Sequence, residues 1–307
     1  MVTIKDCLSL LDSNNIDYEF YGDDQLKING FSSLYKYKPG SITWLRGIEN
    51  LEDIKYEGDF QLIITSKDVS NIKRFKSQIK VDNPRNVFFK ILDEIWGKNN
   101  NNNNKTISEK AYISKNSTIG NNTSIGINSI ISDNVHIGDN CIIGHNVVIK
   151  QNVKIGNNCI IQSGAVIGED GFGFFKDNDK NLQHIPHYGG VNIGDNVFIG
   201  SNTCIYRGTL DDTIIHDYVK ISNLCQISHN CIIKSNTRIV AGSVILGSVT
   251  IGENCWIGTS VIRDQRKVGD NTIVGIGSVV TKDIPENVTV VGNPAKIIPT
   301  KKKIMNY

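Results

Sequence analysis

The sequence has few of the features that mark several large protein classes. Its formal net charge is only +2, so nothing in its charge favours nucleic acid as a partner. None of its seven cysteines forms a C-x-x-C pair, which argues against a zinc ribbon or a thioredoxin-like site. No apolar run reaches the length of about 18 residues that a membrane-spanning helix needs. Aromatic residues make up only 7% of the chain, which suits a thin core of isoleucine and valine.

The cysteine content also bears on the compartment. An odd number of cysteines and the lack of a signal peptide predict a protein of the reducing cytoplasm. Cys141 and Cys159 are expected to be small apolar residues that stack as free thiols. The Lys301, Lys302 and Lys303 cluster is expected to be a solvated basic tail within residues 299–307.

Isoleucine recurs at an unbroken six-residue spacing through the middle of the chain. The series is Ile113, Ile119, Ile125, Ile131, Ile137, Ile143, Ile149, Ile155, Ile161 and Ile167. This period, with a small residue after most of the isoleucines, predicts the hexapeptide repeat of a β-solenoid. Each hexad should supply one short strand with an inward isoleucine and one tight corner. Three hexads should make a triangular coil, so that residues three hexads apart stack.

The pattern divides the chain into regions. Residues 1–98 lack the repeat and are predicted to form a small α/β domain, with helices at 4–11 and 86–96 and strands at 25–28, 41–45 and 61–65. Residues 99–105 are an asparagine-rich linker, and residues 106–298 form a solenoid of about nine coils. The period is interrupted at 169–190 and slips at Leu210 and Ile262, and we expect function at these exceptions.

Four segments carry a resemblance to a known family. Gly-Glu-Asp-Gly-Phe-Gly-Phe at 168–174, Tyr-Arg-Gly-Thr-Leu-Asp-Asp-Thr-Ile-Ile at 206–215 and Cys-Gln-Ile-Ser-His-Asn at 225–230 resemble the UDP-3-O-acylglucosamine N-acyltransferase family of lipid A synthesis. Lys-Pro-Gly-Ser-Ile-Thr-Trp-Leu at 38–45 is similar to that family's nucleotide-recognising domain. The resemblance implies a mainly β protein, a left-handed parallel β-helix with a small N-terminal α/β domain. It also implies a homotrimer with active sites between subunits.

The end of the repeat resembles a different branch. Residues 284–296 are similar to the ending of coenzyme A-dependent hexapeptide acyltransferases. The favoured expectation is therefore an N-acyltransferase that moves an acyl group from acyl-CoA to a nucleotide-linked amino sugar of the dTDP-4-amino-4,6-dideoxyglucose type, without a permanently bound cofactor. Gly275, Asn293 and Lys296 are assigned with Gly247 to CoA binding. One alternative is the lipid A reaction with an acyl carrier protein as donor; another is a non-catalytic hexapeptide scaffold.

The same resemblance assigns catalytic roles. His229 is expected to be the general base that removes a proton from the attacking amine. Gly247, three hexads later, should stack above it and offer its backbone N–H to the thioester oxygen. The family's upstream carboxylate position holds Ser222 here, so Asp211 and Asp212 are the candidate partners of the histidine. The family's second histidine is matched to Gln265, which makes an essential two-histidine mechanism unexpected.

Substrate contacts are assigned on the same basis. Trp44 aligns with the aromatic residue that stacks on the nucleotide base. Phe172 and Phe174 belong to the insertion that covers the sugar and acyl chain, and Asn223 and Gln226 are further candidate substrate contacts. His184 and His187 are separated by a proline and lack an evident third ligand, so no metal site is expected.

Overall fold

The computed structural model describes residues 2–47, 56–70, 73–97 and 106–299. The chain divides into two compact units, Met1–Asn104 and Lys105–Tyr307. The predicted linker at 99–105 and the Lys301–Lys303 cluster lie outside the described residues. Within them, no helix is both long enough and apolar enough to cross a membrane.

The first unit is an α/β structure built on a five-stranded sheet. The strands in spatial order are Glu19–Gly22, Ser77–Val81, Leu62–Ser66, Ser41–Leu45 and Gly30–Phe31, of which the first pair is antiparallel and the others are parallel. Val2–Thr3 and Lys27–Ile28 form a separate antiparallel pair. The helices are Ile4–Ser13 and Pro84–Leu92, with a 3-10 turn at Leu34–Lys36 and a π-helical turn at Asp93–Gly97.

Local signals explain the two helices. Thr3 and Asp6 form a capping box at the first helix, which buries Ile4, Cys7 and Leu11. Asn83 caps the second helix, and Pro84 occupies its first turn, where its missing N–H costs nothing. The second helix is shorter than predicted because the chain passes into the π-helical turn.

The strand predictions were partly right. The strand at Ser41–Leu45 has the predicted bounds, whereas those at Lys27–Ile28 and Leu62–Ser66 differ by one or two residues. Four strands of the first unit were not predicted: Val2–Thr3, Glu19–Gly22, Gly30–Phe31 and Ser77–Val81. Ser77–Val81 is buried along its whole length despite its polar residues, and Gln78 Nε2 donates a hydrogen bond to Thr65 Oγ1 at 2.8 Å.

The second unit is the predicted left-handed parallel β-helix, with three flat faces. The nine strands of the first face are Tyr112–Ile113, Ile130–Ile131, Val148–Ile149, Val166–Glu169, Cys204–Tyr206, Gln226–Ile227, Val244–Ile245, Val261–Ile262 and Val279–Val280. The eight strands of the second face are Thr118–Ile119, His136–Ile137, Val153–Ile155, Val191–Ile193, Thr213–Ile215, Ile232–Ile233, Thr250–Ile251 and Lys267–Val268.

The third face has ten strands. They are Ser124–Ile125, Ile142–Ile143, Ile160–Ile161, Phe198–Ile199, Lys220–Ile221, Arg238–Ile239, Trp256–Ile257, Ile273–Val274, Thr289–Val291 and the antiparallel closing strand Lys296–Ile298. The faces follow one another along the chain, so their strand numbers correspond to about nine coils. The inward isoleucines and valines form one continuous core, and each fully buried side chain contributes about 1.5–3 kcal/mol relative to exposure.

Asparagine occupies most of the left-handed corner positions of the described coils. Three residues after an inward residue the chain turns through the left-handed region, with φ between 53° and 62° at Asn122, Asn128, Asn134, Asn140, Asn146, Asn152, Asn158, Asn196, Asn202, Asn230, Asn236, Asn254, Asn271 and Asn287. Asparagine tolerates this conformation better than other residues with a side chain. Polar side chains one position earlier link the coils, as where Asp139 Oδ1 accepts from Asn121 N–H at 2.6 Å.

The exceptions to the repeat concentrate at the corner between the first and second faces, here called the first corner. The segment 169–190 leaves the coil there and carries the hairpin Phe174–Lys176 with Leu182–His184. A smaller insertion follows between Tyr206 and Thr213, at the predicted slip around Leu210. The irregularity near Ile262 is a coil one residue short, because Ile245 pairs with Ile262 and Ile251 with Val268.

The cysteines of both units are free thiols. Cys141 and Cys159 stack as expected, with Cys159 N–H donating to Cys141 Sγ at 3.4 Å. Burial raises the pKa of the Cys231 thiol to about 12, so this side chain is an uncharged core residue.

Candidate active site

His229 lies at the first corner, where Gln226–Ile227 ends and the chain turns towards Ile232–Ile233. Its ring is half-buried and its Nδ1 is 3.0 Å from Oδ1 of Asn230. Nε2 has no hydrogen-bond partner among the residues that the structure describes. The imidazole of His229 is therefore held through Nδ1, while Nε2 is available to a ligand.

The network around Asn230 fixes which nitrogen of His229 carries the proton. Thr209 N–H and Oγ1–H both donate to Asn230 Oδ1, at 3.0 and 2.8 Å, and Asn230 Nδ2 donates to Asp211 O at 3.1 Å. A backbone N–H can only donate, so the amide oxygen of Asn230 faces Thr209 and also His229. His229 Nδ1 must then be the donor, which leaves a lone pair on Nε2.

Gly247 lies directly against that lone pair. Ile227 pairs with Ile245, so Gly247 stacks over His229 as the sequence predicted. A Cβ at Gly247 would be 2.7 Å from His229 Nε2, closer than side-chain carbons approach. The Gly247 N–H has no acceptor within the described residues, so it can donate to a ligand. Only glycine leaves space at this point for a reacting group.

The insertion 169–190 brings a second imidazole to the same place. The ring centroids of His187 and His229 are 5.4 Å apart, in an edge-to-face arrangement. A Cβ at Gly171 would be 2.8 Å from His187 Nε2 and 2.9 Å from His229 Cδ2, so Gly171 fills the gap between the rings. The insertion therefore packs against His229.

A polar cleft of about 630 Å³ lies beside the insertion at the same corner. Arg207 is buried in its wall, where its Nη2 donates to Gln151 O at 2.6 Å and its Nη1 lies 3.9 Å from Asp170 Oδ1. Lys150 Nζ and Glu169 Oε1 form a second ion pair at 3.3 Å. The lining is suited to a polar ligand.

The expected carboxylate partners of His229 have other tasks. Asp212 Oδ1 accepts from Gly190 N–H at 2.7 Å, and Asp211 takes part through its carbonyl oxygen, to which Asn230 donates. Ser222 lies at the preceding corner, between Lys220–Ile221 and Gln226–Ile227. His229 Nδ1–H donates instead to the neutral amide of Asn230, which Thr209 and the Asp211 carbonyl of the smaller insertion hold in place.

Gln265 does not stack above Gly247. Because the coil is one residue short, the register of Ile245 with Ile262 puts Asp264 in the column of Gly247. Gln265 is instead the exposed left-handed corner residue, with φ 58°, and it donates its backbone N–H to Gly247 O at 2.9 Å. The sequence assignment assumed full coils and was off by one residue.

The predicted substrate contacts are divided between the site and the scaffold. Phe172 is 89% exposed and packs against Phe174, whose ring meets that of His184, so both phenylalanines are on the insertion. Gln226 Nε2 donates to Ser228 Oγ at 3.1 Å, on the strand that leads into His229. Asn223 is a scaffold residue at another corner, where its Oδ1 accepts from Ser201 N–H at 2.8 Å.

The residues assigned to CoA lie away from Gly247. Gly275 is at the corner between the third and first faces, and its missing side chain lets Val291 pack there. Asn293 and Lys296 are exposed in the hairpin that closes the third face. These three residues lie in the C-terminal coils, as Gly247 does, but not at the corner where Gly247 lies.

Trp44 belongs to the first unit. It is half-buried on Ser41–Leu45, where it packs against the core and lines a pocket of about 310 Å³ with Tyr35 and Arg46. An aromatic face and a guanidinium beside a pocket of this size suit a heterocyclic base.

One ligand cluster contradicts the expectation that a third metal ligand is lacking. Single ligand atoms of Asp170, His184 and His187 lie within 4.8 Å of one another. The nearby Arg207 guanidinium carries a positive charge, which opposes a cation at Asp170.

Sequence reasoning missed Asn230, Arg207 and the contribution of His187. Asn230 directly follows His229 and belongs to the series of corner asparagines, so the sequence could place it next to the histidine. The sequence could not show the side-chain rotamer that directs its Oδ1 towards His229. His187 is 42 residues before His229 in the chain. Only the path of the insertion brings the two rings together.

Comparison with known proteins agrees with this architecture. The family described as bacterial transferase hexapeptide (six repeats) matches residues 116–151 and 212–247, and the hexapeptide repeat of succinyl-transferase matches 134–169 and 190–210. Two solved UDP-N-acetylglucosamine acyltransferases of the LpxA type superpose on the solenoid. The Acinetobacter baumannii enzyme is 26% identical with a TM-score of 0.57, covering 62% of this chain and 73% of its own. The Bacteroides fragilis enzyme is 27% identical with a TM-score of 0.57, covering 63% and 74%.

Closer sequence relatives share a name. The UDP-3-O-acylglucosamine N-acyltransferases of Delftia acidovorans and Bordetella bronchiseptica are 40% and 44% identical over 125 residues, which is 40% and 39% of this chain and 37% and 34% of theirs. A probable mitochondrial UDP-3-O-acylglucosamine N-acyltransferase of Arabidopsis thaliana is 41% identical over 43% of this chain and 44% of its own. The matches thus span less than half of these relatives. The coils of this chain carry the bacterial transferase hexapeptide repeat and, over the matched part, are similar to the UDP-3-O-acylglucosamine N-acyltransferases.

Proposed function

We propose that the chain transfers an acyl group from a thioester to the amine of a nucleotide-linked amino sugar, with His229 as general base. The observation that carries the proposal is the first corner, where Asn230 holds His229 Nδ1–H and Gly247 leaves Nε2 open. The names of the sequence relatives support the same reaction class.

The chemistry follows from the protonation of the imidazole. Nε2 removes a proton from the amine as the nitrogen attacks the thioester carbonyl carbon. The carbonyl oxygen becomes an oxyanion, to which the Gly247 N–H can donate. When the intermediate collapses, the carbon–sulfur bond breaks, and the imidazolium returns its proton to the departing thiolate. A positioned base of this kind contributes about 10²–10⁴ in rate.

The acceptor favoured by the relatives is a UDP-linked glucosamine that already carries a 3-O-acyl chain. We propose this acceptor in place of the dTDP-4-amino-4,6-dideoxyglucose type that the sequence favoured, because the UDP compound is the one that the relatives' names give. The pocket beside Trp44 is the proposed base-binding site, and an aromatic face can stack on uracil or thymine.

The donor and the assembly are part of the same proposal. An acyl carrier protein is the donor favoured by the similarity to lipid A enzymes, and acyl-CoA is the alternative that rests on residues 284–296. A homotrimer in the cytoplasm, with active sites between subunits, remains a prediction from the family resemblance. No permanently bound cofactor is required by the proposed steps.

The test is a panel of acceptors and donors. The purified protein is incubated with UDP-3-O-acylglucosamine or dTDP-4-amino-4,6-dideoxyglucose, each with 3-hydroxyacyl carrier protein or with acyl-CoA, and products are identified by mass. We expect N-acylation of the UDP compound. N-acylation of the dTDP compound alone would restore the acceptor that the sequence favoured, and no product with any pair would refute the proposed function.

A further inference from the structure

His187 has a buried hydrogen-bonding atom that the reaction above does not use. The residue is 5% exposed, and its Nδ1–H donates to Ile185 O at 2.8 Å. A carbonyl oxygen can only accept, so the proton of the neutral ring is on Nδ1 and Nε2 holds a lone pair. Nε2 is buried without a partner among the described residues.

A second unpartnered atom lies in the wall of the same cleft. Arg207 Nε is buried and has no acceptor in the described part of the chain, although the other guanidinium nitrogens are engaged. Leaving a buried polar atom without a hydrogen-bond partner destabilises a protein. Two such atoms beside one cleft indicate a ligand that satisfies them.

The chemistry of the two atoms restricts the ligand. His187 Nε2 needs a donor, whereas Arg207 Nε–H needs an acceptor. A phosphate only accepts and an acyl chain does neither, but a hydroxyl group does both. The rest of the lining, with Tyr112, Asp133, Lys150, Asp170 and Tyr188, offers ion-paired groups and two exposed aromatic rings, which suit the polar edges and apolar face of a sugar.

We infer that His187 binds a hydroxyl of the acceptor's sugar ring through Nε2, beside the amine that His229 deprotonates. This inference rests on the proposed function and gives it a specificity residue. Gly171 lies against Nε2 and has no side chain, so binding through this atom requires the 170–173 segment to move aside when the sugar enters. The second histidine of the site thus comes from the insertion and not from the coil after Gly247.

Binding without an acyl donor tests the inference. Calorimetry measures Kd for UDP-glucosamine and its 4-deoxy and 6-deoxy forms with wild type, His187→Leu and His187→Gln, because the 3-oxygen is acylated in the proposed acceptor and has no hydroxyl to donate. We expect wild type to bind one deoxy form about tenfold more weakly than UDP-glucosamine. His187→Leu should bind UDP-glucosamine about tenfold more weakly and no longer distinguish that deoxy form. His187→Gln keeps an acceptor oxygen and should recover part of the discrimination.

His216→Leu is the matched control, because His216 is an exposed histidine outside the insertion. It should bind all three ligands as wild type does, and thermal melting should show that each variant is folded. Wild-type discrimination retained in His187→Leu would overturn the inference, as would failure of wild type to bind UDP-glucosamine. Stoichiometric zinc in the wild type that His187→Leu loses and His216→Leu keeps would overturn it too, since Asp170, His184 and His187 would then hold a metal.

Failure of the proposed function has a different signature. A protein that binds these sugars with the expected discrimination but transfers no acyl group would refute the function and support the role of His187. A protein that transfers acyl groups while His187→Leu binds normally would refute only the inference about His187.

Discussion

At the scale of single residues, the site depends on which atom of His229 is hydrogen-bonded and on the space that two glycines leave beside the histidine rings. Asn230 combines two tasks, since it turns the corner at φ 58° and accepts from His229 Nδ1. An aspartate at this position would add a charge, whereas the amide fixes the tautomer of His229 without one. Gly247 and Gly171 are needed for the space that they leave beside the rings.

Gly247→Ala tests the importance of that space. The added methyl would lie 2.7 Å from His229 Nε2, so the ring must rotate or the amine cannot approach. We expect kcat to fall by about 10²-fold or more, the effect of losing general-base catalysis, while the melting temperature changes little. Steady-state kinetics with the UDP acceptor measure the change.

Gly30→Ala provides the control for that substitution. No atom lies within 4 Å of a Cβ at Gly30, so kinetics and melting should match those of wild type. Wild-type kcat in Gly247→Ala would show that the space beside Nε2 is not used in the reaction.

At the scale of elements, the solenoid is a stack of short strands whose corners decide what it can do. The hexad pattern predicted the strands and the inward side chains because both follow from a period of six. It missed the Asp264 column because the assignment of Gln265 counted three full hexads from Gly247, although the slip at Ile262 shortens that coil by one residue. The asparagine series was present in the sequence and would have identified the left-handed corners, including that of Asn230.

The corner conformation makes a stability prediction. Asn236 is exposed at φ 59°, and its main chain donates to Asp217 O. Asn236→Ala should lower the free energy of unfolding by about 1 kcal/mol, because a Cβ without a local polar partner is unfavourable in the left-handed region. Asn236→Gly should be close to wild type, since glycine enters this region freely. Denaturant unfolding measures both, and equal stabilities of the two variants would contradict this account of the corners.

At the scale of the whole molecule, one corner of one solenoid gathers the candidate chemistry. The insertion 169–190, the smaller insertion before Thr213, His229 and Gly247 all lie between the first and second faces. The sequence predicted that the interruptions mark function, and it predicted the stacking of Gly247 on His229. It could not predict that His187 packs on His229 or that Arg207 lines the cleft, because those contacts depend on how a non-repeating segment folds back.

The central claim is that His229 is the base of an N-acyl transfer, and His229→Asn tests it most directly. Acyl transfer to UDP-3-O-acylglucosamine is followed at saturating donor, with kcat and the acceptor KM measured for wild type and variant. The account predicts a fall in kcat of about 10²–10⁴ with a nearly unchanged KM, because the base acts in the transition state and not in binding. A variant that keeps the wild-type kcat would contradict it.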